Sequence, residues 1–153
     1  MFCSFVSSVG NVLKTLSGTL LRDLATNKGT IKKVIVCRTN DEVNADLARS
    51  WCEDQGLDFR PADQRDELFP KDAWALAIDL DHLALGPTER RQLVDRLYNA
   101  LPTYPVAVAS YDLEPEVKTA LRDRGVLVFR RIDRQLFYEL AAAIASEFED
   151  FAA

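Results

Sequence analysis

The first candidate for chemistry in this chain is an acidic residue at the end of an apolar run. Asp79 closes the segment 74–79, Trp-Ala-Leu-Ala-Ile-Asp, and both Asp81 and His82 follow within three residues. A carboxylate at such a position can accept a phosphoryl group or bind a cation, and a histidine can act as a base or a ligand. We expect Asp79 to be the acid of the site, because four apolar residues lead directly into it. Asp81 is the alternative if the strand runs two residues further, and for His82 we expect a surface position with no role.

A repeating pattern of strands and helices surrounds this acid. Short apolar runs rich in β-branched residues predict five strands, at residues 33–37, 57–60, 74–79, 106–110 and 126–129. Helical periodicity follows four of them, and the polar segment 61–73 is expected to hold at most a short helix. The first of these helices should begin at the capping box formed by Thr39 and Glu42, and its capping position is enough to explain Asp41.

This pattern predicts the fold class. Near-continuous apolar strands joined by helices are typical of a parallel sheet that is covered on both faces. We expect an α/β fold of three layers over residues 31–153: a flavodoxin-like, doubly wound, five-stranded parallel sheet of order 2-1-3-4-5. Ligands of such sheets bind at the carboxyl ends of the strands. That edge should carry the segments Cys37-Arg38-Thr39, Asp79-Leu80-Asp81, Ser110-Tyr111 and Arg130-Arg131. Within it, the candidate pocket around Asp79 is formed by Cys37, Arg38, Asp81, Ser110 and Arg130.

These strand ends resemble those of the receiver domain of bacterial response regulators, over residues 32–148. The resemblance implies that Asp79 stands at the phosphoacceptor position. It also implies that Ser110 stands at the end of the fourth strand, where the family has Thr or Ser. Arg130 stands where the family has Lys, with Arg131 in place of the following Pro. The aromatic switch position of the family corresponds to Leu127.

The acidic pair that binds magnesium in that family corresponds here to Cys37 and Arg38. Magnesium prefers hard oxygen ligands, which neither residue supplies, and a guanidinium would repel the cation. Without the metal, the charge on a transferred phosphoryl group loses its main stabiliser. We therefore expect weak or absent Mg²⁺ binding, no cofactor and no enzymatic activity. A further hypothesis is that Arg38 or Arg130 forms an ion pair with Asp79.

The function predicted from these departures is that of a pseudo-receiver, a non-catalytic domain that acts by protein–protein contact in signal transduction. The alternative is a phosphoaccepting receiver with an atypical metal site. A third reading is a small flavodoxin-like enzyme or a nucleotide or flavin binder, but the turn after the first strand has no glycine to cradle a phosphate. A nucleophilic Cys37 activated by Arg38 is a further alternative to a buried structural thiol.

The resemblance also implies a docking surface, because receivers contact partners through the fourth and fifth strands and the helices that follow them. Here that surface should expose Tyr111, Arg122, Arg124, Arg131 and Arg134. We expect a protein partner, either a signalling kinase or an output protein. The net charge of −5 does not favour nucleic acid, whose binding proteins usually present a basic face.

Residues 1–30 differ from the rest of the chain. Apolar residues recur there at steps of three and four, which predicts an amphipathic helical extension. Such a face predicts packing within the domain or a homodimer, and its three basic residues do not favour membrane binding. Three cysteines without metal-ligand spacing indicate free thiols in a reducing cytoplasm.

Overall fold

The structure is a computed structural model of the 153-residue chain, and it describes residues 32–63 and 65–152. The predicted helical extension over residues 1–30 lies outside the described residues.

The described residues form five strands, four α-helices and one 3₁₀ turn. In chain order these are β1 (Val34–Arg38), α1 (Glu42–Asp54), β2 (Asp58–Pro61), β3 (Ala75–Asp79), the 3₁₀ turn (Leu80–His82), α2 (Pro87–Asn99), β4 (Val106–Ala109), α3 (Pro115–Asp123), β5 (Leu127–Phe129) and α4 (Arg134–Ala152). All strand pairs are parallel, and the sheet order is β2-β1-β3-β4-β5. The predicted fold class is confirmed. Between β2 and β3 the described residues contain no helix.

The two faces of the sheet bury different side chains, because successive residues of a strand point to opposite sides. Small residues of the central strands, Ala75, Ala77, Ala107 and Ala109, lie in one apolar cluster with residues of α1 and α4. Larger residues, Leu76, Ile78, Val106 and Val108, lie in a second cluster with residues of α2 and α3. The sheet therefore forms the middle of three layers.

The ends of the helices follow local signals, with one difference from the prediction. Asp41 caps α1, since its Oδ1 accepts a hydrogen bond from the backbone N–H of Asn44 at 3.0 Å. The predicted capping box with Thr39 at its head was wrong, because Asp41 is the N-cap and the Thr39 hydroxyl donates to Asp79. At the other end, Gly56 has a φ of +71°, which only glycine adopts without strain, and it reverses the chain into β2.

No helix in the described ranges is both long enough and apolar enough to span a membrane.

Candidate functional site

The carboxyl ends of the strands bring the predicted site residues to one edge of the sheet. Asp79 is the last residue of β3 and is in register with Ala109, the last residue of β4. Ser110 follows directly and is 1% exposed. Arg38 ends β1 in register with Ile78, and Arg130 follows β5. The side chains at this edge separate into two clusters, one around Asp79 and one around Asp81.

The Asp79 carboxylate is buried and fully hydrogen-bonded. The residue is 2% exposed. Its Oδ2 accepts hydrogen bonds from the Thr39 hydroxyl at 2.8 Å and from the Asn44 side-chain amide at 2.9 Å. Its Oδ1 lies 3.0 Å from Nδ1 of His82, which donates when that nitrogen carries the proton. A buried carboxylate needs such partners, because an unpaired one would be costly to remove from water.

His82 does more than the sequence suggested, because it links the buried acid to the surface. Its side chain is 48% exposed, and its second ring nitrogen, Nε2, lies 3.8 Å from a carboxylate oxygen of Asp41. The hydrogen bond with Asp79 raises the pKa of His82 above its usual range, partial burial opposes this, and the charges of Asp79 and Asp41 add to it. The backbone carbonyl of His82 also accepts from the N–H of Asn40 at 2.8 Å, so this turn is tied to the β1–α1 loop.

The hypothesised ion pair between Asp79 and an arginine was wrong. Arg38 donates instead to the backbone carbonyls of Asp66, at 3.2 Å, and Glu67. The alternation of β1 and β3 explains this, because Cys37 lies in the cluster on the α1 and α4 side, and its neighbour Arg38 must point the opposite way. Asp79 points to the α1 side, where Asn44 meets it. The guanidinium therefore does not occupy the space beside the acid.

Arg130 is also turned away from Asp79. Its guanidinium carbon lies 5.4 Å from the ring centroid of Tyr111, which is the distance of a cation–π contact. Neither this residue nor Arg38 has an ion pair with Asp79 in the part of the chain that the structure describes.

Cys37 is a buried thiol rather than an activated one. It is 1% exposed, and burial raises its pKa far above the ordinary value, with the neighbouring Cys52 and Asp79 adding to the effect. A thiol is nucleophilic only as the thiolate, so this environment makes it inert. Burial likewise raises the pKa of Cys52 to about 12, and both residues are free cysteines.

The second cluster is built around Asp81, which follows β3 in the 3₁₀ turn. Its Oδ1 accepts hydrogen bonds from the Ser110 hydroxyl at 2.7 Å and from the Arg90 guanidinium at 3.2 Å. Its Oδ2 accepts from the backbone N–H of Tyr111 at 2.7 Å. Arg90 also donates to the Ser110 hydroxyl at 2.7 Å and to the Leu80 carbonyl at 3.4 Å. Ser110 is thus bonded to Asp81, and no bond joins it to Asp79 among the contacts of the described residues.

Hydrogen bonding decides the charge state of Asp81. Burial acts to raise the pKa of this carboxyl group, but the bonds from Tyr111, Ser110 and Arg90 outweigh it, so the pKa lies below its usual range. Asp79 is the last residue of β3, which is where the sequence placed it. Asp81, the alternative, is equally part of the edge.

Asn44 and Arg90 were missed in the sequence, and Thr39 was expected at this edge but not as a partner of Asp79. Thr39 was read as a helix cap, and Asn44 lies on α1 with no signal of its own. Arg90 offered only a weak signal, because it lies in the first turns of α2, where a positive charge is unfavourable next to the helix dipole. This small unfavourable effect is offset here by Asp81, whose carboxylate accepts from Arg90.

The predicted interaction surface is exposed where the sequence placed it. Tyr111 is 52% exposed, and the other predicted members are also exposed: Arg122, Arg124, Arg131 and Arg134. The Arg124 guanidinium lies over the ring of Tyr98, 4.1 Å from its centroid. An open depression borders this surface and is lined by Tyr111, Val128, Phe129, Arg130, Arg131 and Asp133. Whether a partner binds here stays a prediction.

The residues at the edge do not fit a magnesium ion of the kind that receivers bind. The two positions of the acidic pair hold a buried thiol and a guanidinium that faces the other side of the sheet. In the described ranges, no group of three or more His, Cys, Asp or Glu side chains is arranged to hold a metal.

Comparisons with known proteins identify the fold. No family model and no curated protein matches the sequence. Among solved structures, the chain is similar to the signal receiver domain of a putative LuxO repressor protein from Vibrio parahaemolyticus, with a TM-score of 0.59 and 13% identity over 80% of this chain and 98% of that one. It is also similar to a signal receiver domain of a two-component histidine kinase from Clostridium thermocellum, with a TM-score of 0.52 and 11% identity over 74% of this chain and 98% of that one. The described part of the chain therefore has the fold of a receiver domain.

Proposed function

We propose that this chain is a pseudo-receiver, which acts through protein–protein contact in signal transduction and does not accept a phosphoryl group. The observation that carries the proposal is the environment of Asp79. Its carboxylate is 2% exposed, and both oxygens are bonded to side chains of this chain, namely Thr39, Asn44 and His82. The acid at the phosphoacceptor position is thus a buried structural group.

Phosphoryl transfer would need two things that this environment does not favour. An oxygen of Asp79 would have to leave a hydrogen bond and face the donor in line. Charge on the transferred group would have to be neutralised, yet Arg38 is on the opposite side of the sheet. Among the described residues, His82 is the only basic side chain bonded to Asp79, and the hydrogen bond with that carboxylate is the main cause of its raised pKa.

The proposed protein–protein contact rests on the exposed arginines and Tyr111. This surface suits an acidic patch on a signalling kinase or an output protein, because aromatic and arginine side chains carry much of the binding energy in protein interfaces. We further propose that residues 1–30 form a homodimer contact and that the protein works in the cytoplasm. Both proposals come from the sequence pattern.

Acetyl phosphate with Mg²⁺, followed by intact-mass measurement, tests the central claim. We expect no phosphoryl adduct on the wild-type chain under conditions in which a phosphoaccepting receiver, run in parallel, is modified. The alternative function, a phosphoaccepting receiver, is favoured by the position of Asp79 at the end of β3. An adduct that disappears in Asp79→Asn would establish that alternative. An adduct that disappears only in Asp81→Asn would also overturn the proposal and would place the acceptor at Asp81.

A further inference from the structure

The donors around Asp81 form a set that proteins use to bind oxyanions. They are a hydroxyl from Ser110, a backbone N–H from Tyr111 and a guanidinium from Arg90, all within 3.2 Å of the two carboxylate oxygens. Charge-assisted hydrogen bonds of this kind, together with a backbone N–H that points inward, recur in phosphate and carboxylate sites. Here the three donors come from α2, from the end of β4 and from the loop that follows it.

We propose that these three donors are an oxyanion-binding site, and that the chain fills it with its own Asp81 carboxylate. The bound carboxylate acts as a latch, which we call the Asp81 latch, between the turn after β3 and the loop between β4 and α3. When Asp81 is removed, the site should take a small oxyanion such as inorganic phosphate or formate.

The geometry favours a built site over a chance surface ion pair. Ser110 is 1% exposed, and its hydroxyl oxygen accepts from Arg90 at 2.7 Å and from the backbone N–H of Asp112 at 3.3 Å, while it donates to Asp81 at 2.7 Å. Arg90 is held a second time by the Leu80 carbonyl at 3.4 Å. The donors therefore hold one another in place, and the lowered pKa of Asp81 agrees with a carboxylate that is bound as an anion.

The position of Arg90 on α2 agrees with this proposal. It lies in the first turns of α2, where the helix dipole disfavours a cation. Asp81, 3.2 Å from the guanidinium, offsets this unfavourable interaction. Without Asp81, the guanidinium would lose its ion-pair partner and could bind an external anion.

The Asp81 latch reaches the exposed surface through Tyr111. The backbone N–H of this residue is fixed by Asp81, while its ring lies against the Arg130 guanidinium. The latch therefore sets the conformation of a residue of the predicted docking surface without phosphorylation. This consequence rests on the proposed function, because it takes that surface as the one a partner binds. The oxyanion site itself does not depend on it.

Substitution of Asp81 tests the site directly. In Asp81→Ala, the three donors remain and the carboxylate is gone. Titration with inorganic phosphate, and separately with formate, should produce a saturable shift of the Tyr111 amide resonance in NMR spectra, with dissociation constants in the millimolar range. The wild-type chain should show no saturable shift at this amide. In the double variant Asp81→Ala with Arg90→Gln, binding should weaken by roughly tenfold or more.

The matched control is Asp112→Ala, which removes the same charge from the loop between β4 and α3, to which Asp81 is bonded. The Asp112 side chain is exposed, and only its backbone N–H takes part in the cluster. This variant should respond to phosphate and formate as the wild-type chain does. A response like that of Asp81→Ala would show that general loss of negative charge, and not an emptied site, attracts the anion, and would overturn the proposal.

Other results would also overturn it. These are a folded Asp81→Ala with no saturable shift at Tyr111, and a wild-type chain that binds the anions equally well.

If Asp81→Ala does not fold, Asp81→Asn is measured instead, since its amide fills the space but loses the charge. Hydrogen exchange of the Tyr111 amide should then be roughly tenfold faster than in the wild type, and an unchanged rate would refute the latch. A phosphoryl adduct on Asp79 of the wild type would refute the pseudo-receiver and leave the oxyanion site standing.

Discussion

At the scale of single residues, the candidate site holds two acids in two different environments. Asp79 is bonded to an alcohol, an amide and a histidine, whereas Asp81 is bonded to an alcohol, a backbone N–H and a guanidinium. Only Leu80 separates them along the chain, but they engage different partners at the sheet edge. The first environment explains why a buried carboxylate is tolerated, and the second fixes a loop.

The contact between His82 and Asp79 predicts a pH dependence of stability. The pKa of His82 is raised in the folded chain, so the folded state binds the proton more tightly than the unfolded state. The resulting stabilisation is complete below the unfolded pKa of about 6.5 and is lost as pH rises through the higher folded pKa. We expect the free energy of unfolding, measured with urea between about pH 5.5 and 8.5, to fall across this window.

Substitution of His82 provides the control for this prediction. It is the only histidine in the chain, so His82→Gln should flatten the pH profile in this window. Its imidazole resonances can also be followed by NMR without overlap from another histidine. A titration midpoint at or below about 6.5 in the folded chain would contradict the raised pKa and the contact with Asp79.

At the scale of elements, the segment between β2 and β3 is held by side chains in place of a helix. Arg38 donates to backbone carbonyls of Asp66 and Glu67. Arg60 forms ion pairs with Asp66 and Asp72, both at 3.0 Å. At the far end of the segment, the Tyr104 hydroxyl donates to the Pro70 carbonyl at 2.8 Å. A loop whose carbonyls have such partners can stay ordered without regular structure.

Arg38 therefore has a structural role that can be measured. Arg38→Met keeps much of the apolar stem but removes the donors, so the two carbonyls lose their partner. We expect a destabilisation of about 1–3 kcal/mol and roughly tenfold faster hydrogen exchange over residues 65–73. The measurements are urea unfolding and hydrogen exchange followed by mass spectrometry.

The matched control for this element is Arg65→Met in the same segment. The Arg65 side chain is 94% exposed, and its nearest acid, Asp63, is 3.9 Å away. Surface pairs of this kind contribute little to stability, so this variant should resemble the wild type. Equal effects of the two substitutions would show that Arg38 does not hold the segment.

At the scale of the whole molecule, stability depends on two apolar layers of different character. On the α1 and α4 side, the sheet presents alanines, and large side chains from the helices fill the space above them. Phe137 is fully buried there, with its ring centroid 6.1 Å from that of Trp51 on α1. This aromatic pair joins the first and last helices of the described domain across the same face of the sheet.

This arrangement predicts a sharp contrast between two neighbouring positions on α4. Phe137→Ala should cost about 3–5 kcal/mol, because it removes a large buried side chain and leaves a cavity. Tyr138→Ala should cost roughly 0.5 kcal/mol or less, since Tyr138 is 55% exposed and such surface changes are mild. Urea unfolding of both variants tests this, and similar losses would contradict the packing of α4 described here.

Much of the fold could be predicted from the sequence, because it depends on local chemistry. Apolar runs predicted the strands, and the spacing of the elements led to the sheet order that the structure has. The edge residues followed in turn, since the ends of parallel strands must meet. The predicted helix over residues 1–30 lies outside the described residues and stays a prediction.

The partners of the edge residues depended on the tertiary structure. Strand alternation sends Arg38 to the face opposite Asp79, and α1 brings Asn44 to that acid. Likewise, Arg90 meets Asp81 only because α2 packs beside the end of β3. The sequence by itself determined the sheet, its order and the acids at its edge, because period and turn chemistry are local. The three-dimensional packing alone decided which charges meet, because a hydrogen bond depends on direction and on distances of about 3 Å that spacing along the chain does not encode.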